Sequence, residues 1–390
     1  MRISMLMRER QTGYEAVISE LEDARKRDYA FSGGSILGSM CTQPHPVAVE
    51  AYNRFMETNL GDPLLFPGAR SLEEKTLGMI CGMLNAPAGA GGQFVSGGTE
   101  SNIMAMALAS RLTGRDEIII PASAHFSFEK AASLMRLKAV SAPTTDGFLA
   151  DVSAVRELAN ERTACIVGVA GTTELGMIDP IAGLAKVAGD NGCMMHVDAA
   201  FGGFVIPFMK QMGYEMPDFD FSVPGVTSVS IDPHKMGCST IPAGVIAVGE
   251  GGNLCSIGVD TPYVSTKTQP GLLSTRPGAA AAATYAVMRH LGNAGYRQIV
   301  EGCLSNTRYL CERLSEEGFS LPCEPQMNVV GIRFKKPRVV KDALAERKFF
   351  VAPLDRVGCI RVVCMPHVKR EHLDSFIPVL KTVARGLGEI

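Results

Sequence analysis

Short apolar runs alternate with helical patterns through the middle of the chain. Five runs are bounded by Gly, Pro, Asp or Ser, which is typical of buried strands; they cover residues 118–120, 165–169, 194–197, 227–231 and 244–248. Between them, apolar residues recur at helical spacing after Thr99 and again over residues 152–159 and 181–187. The alternation predicts an α/β fold in which a mostly parallel sheet carries helices on both faces. Ligands of such a sheet bind beyond the carboxyl ends of its strands.

The pattern changes after residues 263–278, which are rich in Thr, Ser, Pro and Gly. Beyond this segment, helical patterns cover residues 279–291 and 296–314, strand patterns cover 329–334 and 360–363, and a last helix starts at Arg370. We therefore predict three parts. They are an N-terminal arm over residues 1–50 with helical pieces broken at Gly33 and Gly34, a large domain over 51–285, and a smaller C-terminal α+β domain over 286–390.

Composition and charge narrow the class of protein. The 390 residues are 46% hydrophobic, and a single core rarely grows beyond about 250–300 residues, which agrees with two domains. Lys and Arg number 38 against 40 Asp and Glu, without a basic run, so nucleic acid is not an expected partner.

Export and membrane insertion are not expected either. The apolar stretch at residues 3–7 is shorter than a signal peptide's core of about 7–15 residues. No run approaches the ~18–20 apolar residues of a membrane span. The eleven cysteines form no CxxC pair, and their odd number suits reduced thiols in a cytoplasmic protein.

Lys235 follows the predicted strand 227–231, in the segment DPHKMG. This position places the lysine in a cleft, where desolvation favours the neutral amine that forms imines. The alternative is an ordinary surface lysine in a loop.

Asp198 ends another predicted strand, in the segment HVDAAFGG. A carboxylate there can pair with a cationic ring nitrogen such as that of pyridoxal phosphate, and Ala199 and Ala200 leave room for a flat ring. A helix-capping role is one alternative. A metal site is another, because His196 and Asp198 point to the same face of a strand. No third ligand is evident, so no metal is expected, and a metal-dependent hydrolase stays as an alternative from another class.

Three further segments follow strands or open helices. Gly97, Gly98 and Thr99 lie in SGGTESN at a predicted helix start, where free N–H groups and the helix dipole favour a phosphate; a plain N-cap is the alternative. His125 follows strand 118–120 and is placed to stack on a ring or transfer a proton, unless it is structural. Thr172 lies in GTTELG, which otherwise reads as a turn. A doubly wound sheet gathers such segments along one edge.

Taken together, these segments resemble the group II pyridoxal-phosphate-dependent decarboxylases, which have the aspartate-aminotransferase fold (fold type I). The similarity covers nearly the whole chain and includes AHFSFEKAA, SIDPHKMG, GDPLLFPGARSLEEK, STRPG and IRVVCMPHVKREH. The chain length and the segments GSMC and TNLGDP are most similar to archaeal L-tyrosine/L-aspartate decarboxylases, which make tyramine for methanofuran or β-alanine for coenzyme A. Sphingosine-phosphate lyases share FPG, SGGTES and RPG and are the alternative within the fold.

The resemblance implies roles for individual residues. Lys235 would bind the cofactor covalently, Asp198 would pair with the pyridine nitrogen, and His125 would stack on the ring opposite Ala200. The implied cofactor-binding residues are Gly97, Gly98, Thr99, His125, Thr172, Asp198, Ala200, Ser230, His234, Lys235, Ser274 and Thr275.

The resemblance also implies a homodimer whose second subunit completes the site. Ser274 and Thr275 would reach across the interface, although PGLLST departs from the Gly-Thr or Gly-Ser expected before the arginine. Arg361 would bind the substrate carboxylate in a bidentate pair. His45 and Tyr263 are candidates for the side-chain pocket. Tyrosine is slightly favoured over aspartate, which needs a further cation such as His45 or Arg70.

Overall fold

The computed structural model describes residues 11–62 and 64–390, so the apolar stretch at residues 3–7 lies outside the described residues. The N-terminal arm contains α1 (Tyr14–Arg25) and a 3₁₀ turn (Phe31–Gly33), and α2 (Pro46–Phe55) follows. The predicted break is present, since Gly34 adopts φ 74° just after the turn. Helix α3 (Pro67–Met83) leads into the large sheet.

Seven strands form the large sheet, which is parallel except at one strand. They are β1 (Gly91–Val95), β2 (Glu117–Pro121), β3 (Lys138–Ala142), β4 (Thr163–Val169), β5 (Met194–Asp198), β6 (Val226–Ile231) and β7 (Gly244–Val248). Their order is β1-β7-β6-β5-β4-β2-β3, and β7 pairs antiparallel with both β1 and β6. The predicted α/β class and all five predicted strands are confirmed.

Helices cover both faces of this sheet, as the alternation predicts. They are α4 (Gly98–Thr113), α5 (Ser127–Met135), α6 (Val152–Leu158), α7 (Ile181–Asp190) and α8 (Ile206–Gln211). Successive residues of β2 enter different cores: Ile118 packs in a cluster with Met104 of α4, and Ile119 in a cluster with Leu184 of α7. This division follows from the two-residue period of a strand.

The C-terminal part is an antiparallel sheet with helices. A short ribbon of β8 (Val259–Asp260) and β9 (Thr268–Gln269) precedes α9 (Gly278–Glu316). Then come β10 (Val329–Arg333), α10 (Pro337–Ala345), β11 (Ala352–Leu354), β12 (Cys359–Val363) and α11 (Arg370–Gly386), with strand order β10-β12-β11. The two helices predicted before β10 are confirmed, because α9 consists of two helical parts joined at a kink at Gly292, whose φ of 52° and ψ of −168° are not helical. The boundary that we propose near residue 286 lies in α9, shortly before this kink. No helix in the described ranges is long and apolar enough to cross a membrane.

Candidate active site

Most of the segments singled out in the sequence meet at one cavity at the carboxyl edge of the large sheet. Asp198 ends β5, His125 follows β2, Lys235 follows β6, and Gly97 and Gly98 open α4. All of them line a cavity of about 360 Å³. The meeting is a consequence of topology, because parallel strands end on the same edge.

The amine of Lys235 lies beside a buried carboxylate. Its Nζ is 3.1 Å from Oδ2 of Asp232, whose side chain is 2% exposed. Burial lowers the pKa of Lys235, but the carboxylates of Asp232 and Asp198 outweigh burial and leave this pKa raised. The sequence led us to expect a neutral amine from desolvation alone. That expectation is wrong for the protein without a ligand, because it ignored the two carboxylates that the fold places nearby.

Three protein donors hold the carboxylate of Asp198. Its Oδ1 accepts the N–H of Ala200 at 3.0 Å and the hydroxyl of Ser230 at 3.3 Å, and its Oδ2 accepts Nδ2 of Asn102 at 2.9 Å. Asp198 is 6% exposed and still lines the cavity. The carboxylate is therefore fixed in direction and faces the space where a ligand would lie.

The start of α4 offers free backbone N–H groups to the same cavity. Gly97 is the N-cap and Gly98 the first helical residue. A Cβ on Gly98 would lie 3.0 Å from Oδ2 of Asp232 and 3.2 Å from Cβ of Ala200, so only glycine fits without displacement. His234 lies against Gly97, and its Nδ1 accepts the N–H of Ala243 at 3.2 Å. A helix start with these neighbours can bind an anion.

His125 presents a neutral ring to the cavity. Burial lowers its pKa more than the negative charge of Asp198 raises it. Its Nδ1 accepts the N–H of Ser127 at 3.3 Å, and its ring centre is 4.1 Å from that of Phe126. The ring is thus held in place by backbone and aromatic contacts.

Thr172 and Ser230 lie behind the cavity wall. The hydroxyl of Thr172 accepts the N–H of Met177 at 3.0 Å, and Ser230 is fully buried with its hydroxyl on Asp198. Neither residue lines the cavity, whereas Thr173, next to Thr172 in the sequence, and the predicted Thr99 do. Both buried hydroxyls support the wall in this structure.

Arg361 lies in β12, just outside the cavity wall. It is 7% exposed, and burial lowers its pKa to about 10. Its Nη2 donates to the carbonyl of Gly38 at 2.7 Å and its Nη1 to the carbonyl of Thr173, which lines the cavity. Its buried Nε has no partner among the described residues. The arginine thus joins the arm, the large sheet and the small sheet.

Four other sequence candidates do not line this cavity within one chain. His45 caps α2, lies 4.9 Å ring to ring from His290, and lines a different cavity. Tyr263 is 87% exposed. Ser274 and Thr275 are exposed in the segment after β9.

Hydrogen bonds that we did not predict from the sequence join His196 to Asn102 and Ser228 beneath Asp198. His196 bonds Asn102 through Nε2 at 3.1 Å and Ser228 through Nδ1 at 2.8 Å, and burial lowers its pKa to about 4. With both ring nitrogens used, His196 has no lone pair free for a metal. No group of three His, Cys, Asp or Glu with metal-binding geometry occurs in the described part of the chain. The in-register patterns His-x-Asp on β5 and Ser-x-Ser on β6 were the available signal.

These residues fit pyridoxal phosphate. Lys235 supplies the amine, Asp198 a fixed carboxylate and α4 an anion-binding start, around a cavity that also holds the His125 ring. Oδ1 of Asp232 is buried at this cavity and has no partner among the described residues. The donor set matches an aldehyde, a basic ring nitrogen and a phosphate.

Comparison with known proteins agrees with this site. Residues 62–335 match the family described as the pyridoxal-dependent decarboxylase conserved domain. A probable L-tyrosine/L-aspartate decarboxylase of Methanocella arvoryzae is 44% identical over 97% of this chain and 100% of its own length. An L-aspartate decarboxylase of Thermococcus kodakarensis is 44% identical over 97% of this chain and 99% of its own.

The fold is also similar to that of a solved structure. A sphingosine-1-phosphate lyase of Burkholderia pseudomallei superposes with a TM-score of 0.90 at 26% identity, over 98% of this chain and 93% of the lyase. Family match, relatives and site geometry lead to one conclusion: the chain belongs to the pyridoxal-dependent decarboxylase family, and it is a carboxy-lyase with pyridoxal 5′-phosphate as its cofactor.

Proposed function

We propose that the protein removes the α-carboxylate of L-tyrosine and of L-aspartate, releasing tyramine and β-alanine. The observation that carries this proposal is the convergence of Lys235, Asp198 and the start of α4 on one cavity. When bound, the cofactor accepts the electron pair left by departing carbon dioxide. The protein supplies binding, orientation and electrostatics.

Each residue has a defined task in this proposal. Lys235 attaches the cofactor, Asp198 holds its ring nitrogen, His125 covers one ring face, and Gly97, Gly98 and Thr99 receive the phosphate. Reduction of the loaded enzyme with borohydride and peptide mapping should place the label on Lys235. A label on another lysine would reject the assignment of the whole site.

Arg361 is proposed to bind the substrate carboxylate. A guanidinium has five N–H donors, and in the described structure two nitrogens each donate to one backbone carbonyl while Nε–H has no partner. The remaining donors suit a carboxylate entering beside Thr173. His45 and Tyr263 stay proposals for the side-chain pocket, and they would act from the neighbouring subunit or after movement of their segments.

Tyrosine and aspartate need different groups around the substrate side chain. No arginine lines the catalytic cavity within residues 11–62 and 64–390. Lys235 is the cation of this lining, because burial lowers the pKa of both His125 and His234. A second carboxylate would need a further cation, so the single chain favours tyrosine. Aspartate is supported by the name of the Thermococcus relative and by the joint name of the Methanocella relative.

Amine formation from a substrate panel tests the proposal. The purified protein, loaded with pyridoxal phosphate, is given L-tyrosine, L-aspartate, L-glutamate and a phosphorylated long-chain amino alcohol. Tyramine and β-alanine are the expected products; either one alone narrows the substrate. Aldehyde release from the lipid would instead support the lyase alternative, which the fold similarity to the Burkholderia lyase keeps testable.

We propose a homodimer as the working form. Leu64, Leu65, Leu272, Leu273 and Tyr263 expose 48–87% of their surface, and Nε2 of Gln269 joins the two segments by a 2.6 Å bond to the carbonyl of Gly61. Exposed apolar clusters of this kind mark interfaces, and Ser274 and Thr275 lie next to this one. Light scattering should give twice the chain mass, and a monomer with full activity would contradict the proposal.

The proposed products indicate the proposed pathway. Tyramine would enter methanofuran synthesis, and β-alanine would enter coenzyme A synthesis. A cytoplasmic location is supported by the eleven cysteines, all of which are free thiols in the structure.

A further inference from the structure

A buried series of hydrogen-bonded polar side chains ends at Asp198. Oδ2 of Asp198 accepts Nδ2 of Asn102 at 2.9 Å, Oδ1 of Asn102 meets Nε2 of His196 at 3.1 Å, and Nδ1 of His196 meets Oγ of Ser228 at 2.8 Å. All four residues are 6% exposed or less. Water therefore does not replace any of these bonds.

The carboxylate determines every proton position along this chain. Because an ionised carboxylate only accepts, the group of Asn102 that faces it is the NH₂, whose second hydrogen points to Oγ of Ser127 at 2.9 Å. Oδ1 of Asn102 must then accept, so Nε2 of His196 carries the proton. Nδ1 of His196 consequently accepts the hydroxyl of Ser228. Such assignments come from the network and not from visible hydrogens.

Counting acceptor sites shows what the chain leaves open. A carboxylate has about four lone-pair sites, and Ala200, Ser230 and Asn102 occupy three of those of Asp198. One site remains, and the carboxylate lines the cavity. A single N–H donor from the cavity side would complete it.

The strand register explains why His196 is placed to hold Asn102. On β5 and β6, His196 pairs with Ser228 and Asp198 pairs with Ser230, so all four side chains point toward α4, which carries Asn102. Burial keeps His196 neutral, and a neutral ring adds a dipole without a competing charge. Hydrogen bonds in series polarise one another in a low-dielectric interior.

We propose that Asn102 is a positioning residue for Asp198, and that neutral His196 fixes the amide of Asn102 so that the last acceptor site of Asp198 faces the pyridine nitrogen of the cofactor. The proposal rests on the family's cofactor and on the proposed role of Asp198, and it is independent of the substrate. The hydrogen bonds from Ser228 through His196 and Asn102 hold the carboxylate of Asp198 in one orientation, and this carboxylate keeps the ring nitrogen protonated. A purely structural network would stabilise the protein without affecting the ring nitrogen.

The test uses protein loaded with pyridoxal phosphate that carries ¹⁵N in the ring, whose NMR shift reports protonation of that nitrogen. Asn102→Ala should move the shift toward the unprotonated value and weaken cofactor binding about tenfold, as loss of one bond to a charged group implies. His196→Phe should have a smaller effect of the same sign. His196→Gln, which keeps an N–H donor, should restore most of the wild-type shift.

Ser127→Ala is the matched control, because it removes the other bond of the same NH₂ group and leaves Asp198 untouched. It should lower thermal stability and leave the ring shift unchanged. An Asn102→Ala protein with a wild-type ring shift and wild-type cofactor affinity would overturn the proposal. If Asn102→Ala does not fold, equal shifts in His196→Phe and the wild type would overturn it too.

Asp198→Asn separates this inference from the role beneath it. A deprotonated ring nitrogen in Asp198→Asn, together with a changed ¹⁵N shift in Asn102→Ala, supports the proposed positioning role of Asn102. A ring nitrogen that stays protonated in Asp198→Asn would overturn both the role of Asp198 and the inference.

Discussion

At the scale of single residues, two carboxylates set the charge of the Lys235 amine. Asp232 lies 3.1 Å from Nζ of Lys235, and with Asp198 it raises a pKa that burial alone would lower. In the protein without its cofactor, the raised pKa of Lys235 therefore favours the protonated amine. The reactivity of Lys235 depends on its neighbours more than on its burial.

Replacing Asp232 should make the amine easier to deprotonate. Burial lowers the pKa of Lys235, and Asp232 is the strongest of the groups that raise it. In Asp232→Asn this opposing effect is lost, so the pKa of Lys235 should fall. The rate at which apoprotein takes up pyridoxal phosphate, measured against pH, should then have its midpoint shifted to lower pH. Asp220→Asn, a buried carboxylate bonded to Asn85, is the control and should keep the wild-type midpoint. An unshifted midpoint in Asp232→Asn would show that Asp198 alone sets the charge.

Arg361 is the second residue whose geometry matters as much as its charge. Arg361→Lys keeps a cation but cannot form a bidentate pair or reach both Gly38 and Thr173. We expect kcat/KM for the amino acid to fall about 100-fold, since a charged bidentate contact contributes roughly 2–3 kcal/mol. Arg333→Lys, at the exposed last residue of the neighbouring strand β10, should stay within twofold of wild type. Equal losses in both variants would assign Arg361 a structural role.

At the scale of elements, the site depends on how closely the start of α4 approaches β6 and β7. A Cβ on Gly98 meets Asp232, and the backbone of Gly97 lies directly against Gly244 of β7. The glycines thus bring the helix start to the sheet edge, where its N–H groups face the cavity. The motif was visible in the sequence, but its contact surface was not.

Alanine should be harmful at the helical glycine Gly98, which has close neighbours, and stabilising at Gly78, which has none. Gly98→Ala places a methyl group 3.0 Å from Asp232 and should weaken cofactor binding about tenfold or more, measured by titration of apoprotein. Gly78→Ala, within α3, meets nothing within 4 Å and should raise the free energy of unfolding by about 0.5–1 kcal/mol. Cofactor binding as tight as in the wild type would show that the start of α4 or Asp232 can move to accommodate the methyl group of Gly98→Ala, which would contradict this prediction.

The elements missed in the sequence share a cause. β1 begins with Gly91 and Gly92, which carry no side-chain pattern, and they are required because the backbones of Gly251 and Ile246 lie 2.8 Å from where their Cβ atoms would be. β3 is a largely exposed edge strand. The buried central strands have runs of apolar residues and were found for that reason.

At the scale of the whole molecule, buried titratable groups couple stability to pH. Burial lowers the pKa of His196 to about 4, below an unfolded value of about 6.5. As pH falls below 6.5 the unfolded chain binds a proton that the folded chain refuses, so stability is lost until pH approaches 4. Asp179 acts in the opposite direction, because burial raises its pKa to about 6 and the folded chain holds that proton longer.

Acidification should therefore affect the wild type more than His196→Gln. Between pH 7 and 5, the unfolding free energy of the wild type should fall by about 2 kcal/mol relative to the variant, from 1.36 kcal/mol per pKa unit. Urea unfolding at the two pH values measures this difference, and the contribution of Asp179 cancels because both proteins contain it. A difference that does not change with pH would mean that the pKa of His196 is the same in the folded and the unfolded protein.

Local patterns were sufficient for the buried strands, the glycine-rich helix start and the positions of Asp198, His125 and Lys235 at strand ends, because each depends on neighbours a few positions away. Topology then implied that parallel strand ends would share an edge. The fold alone decided which side chains face one another across elements: Gly38 of the arm against Arg361, Asp232 against Lys235, and Asn102 between His196 and Asp198. Those contacts join residues far apart in the chain, and their geometry is set by packing, which no local pattern contains.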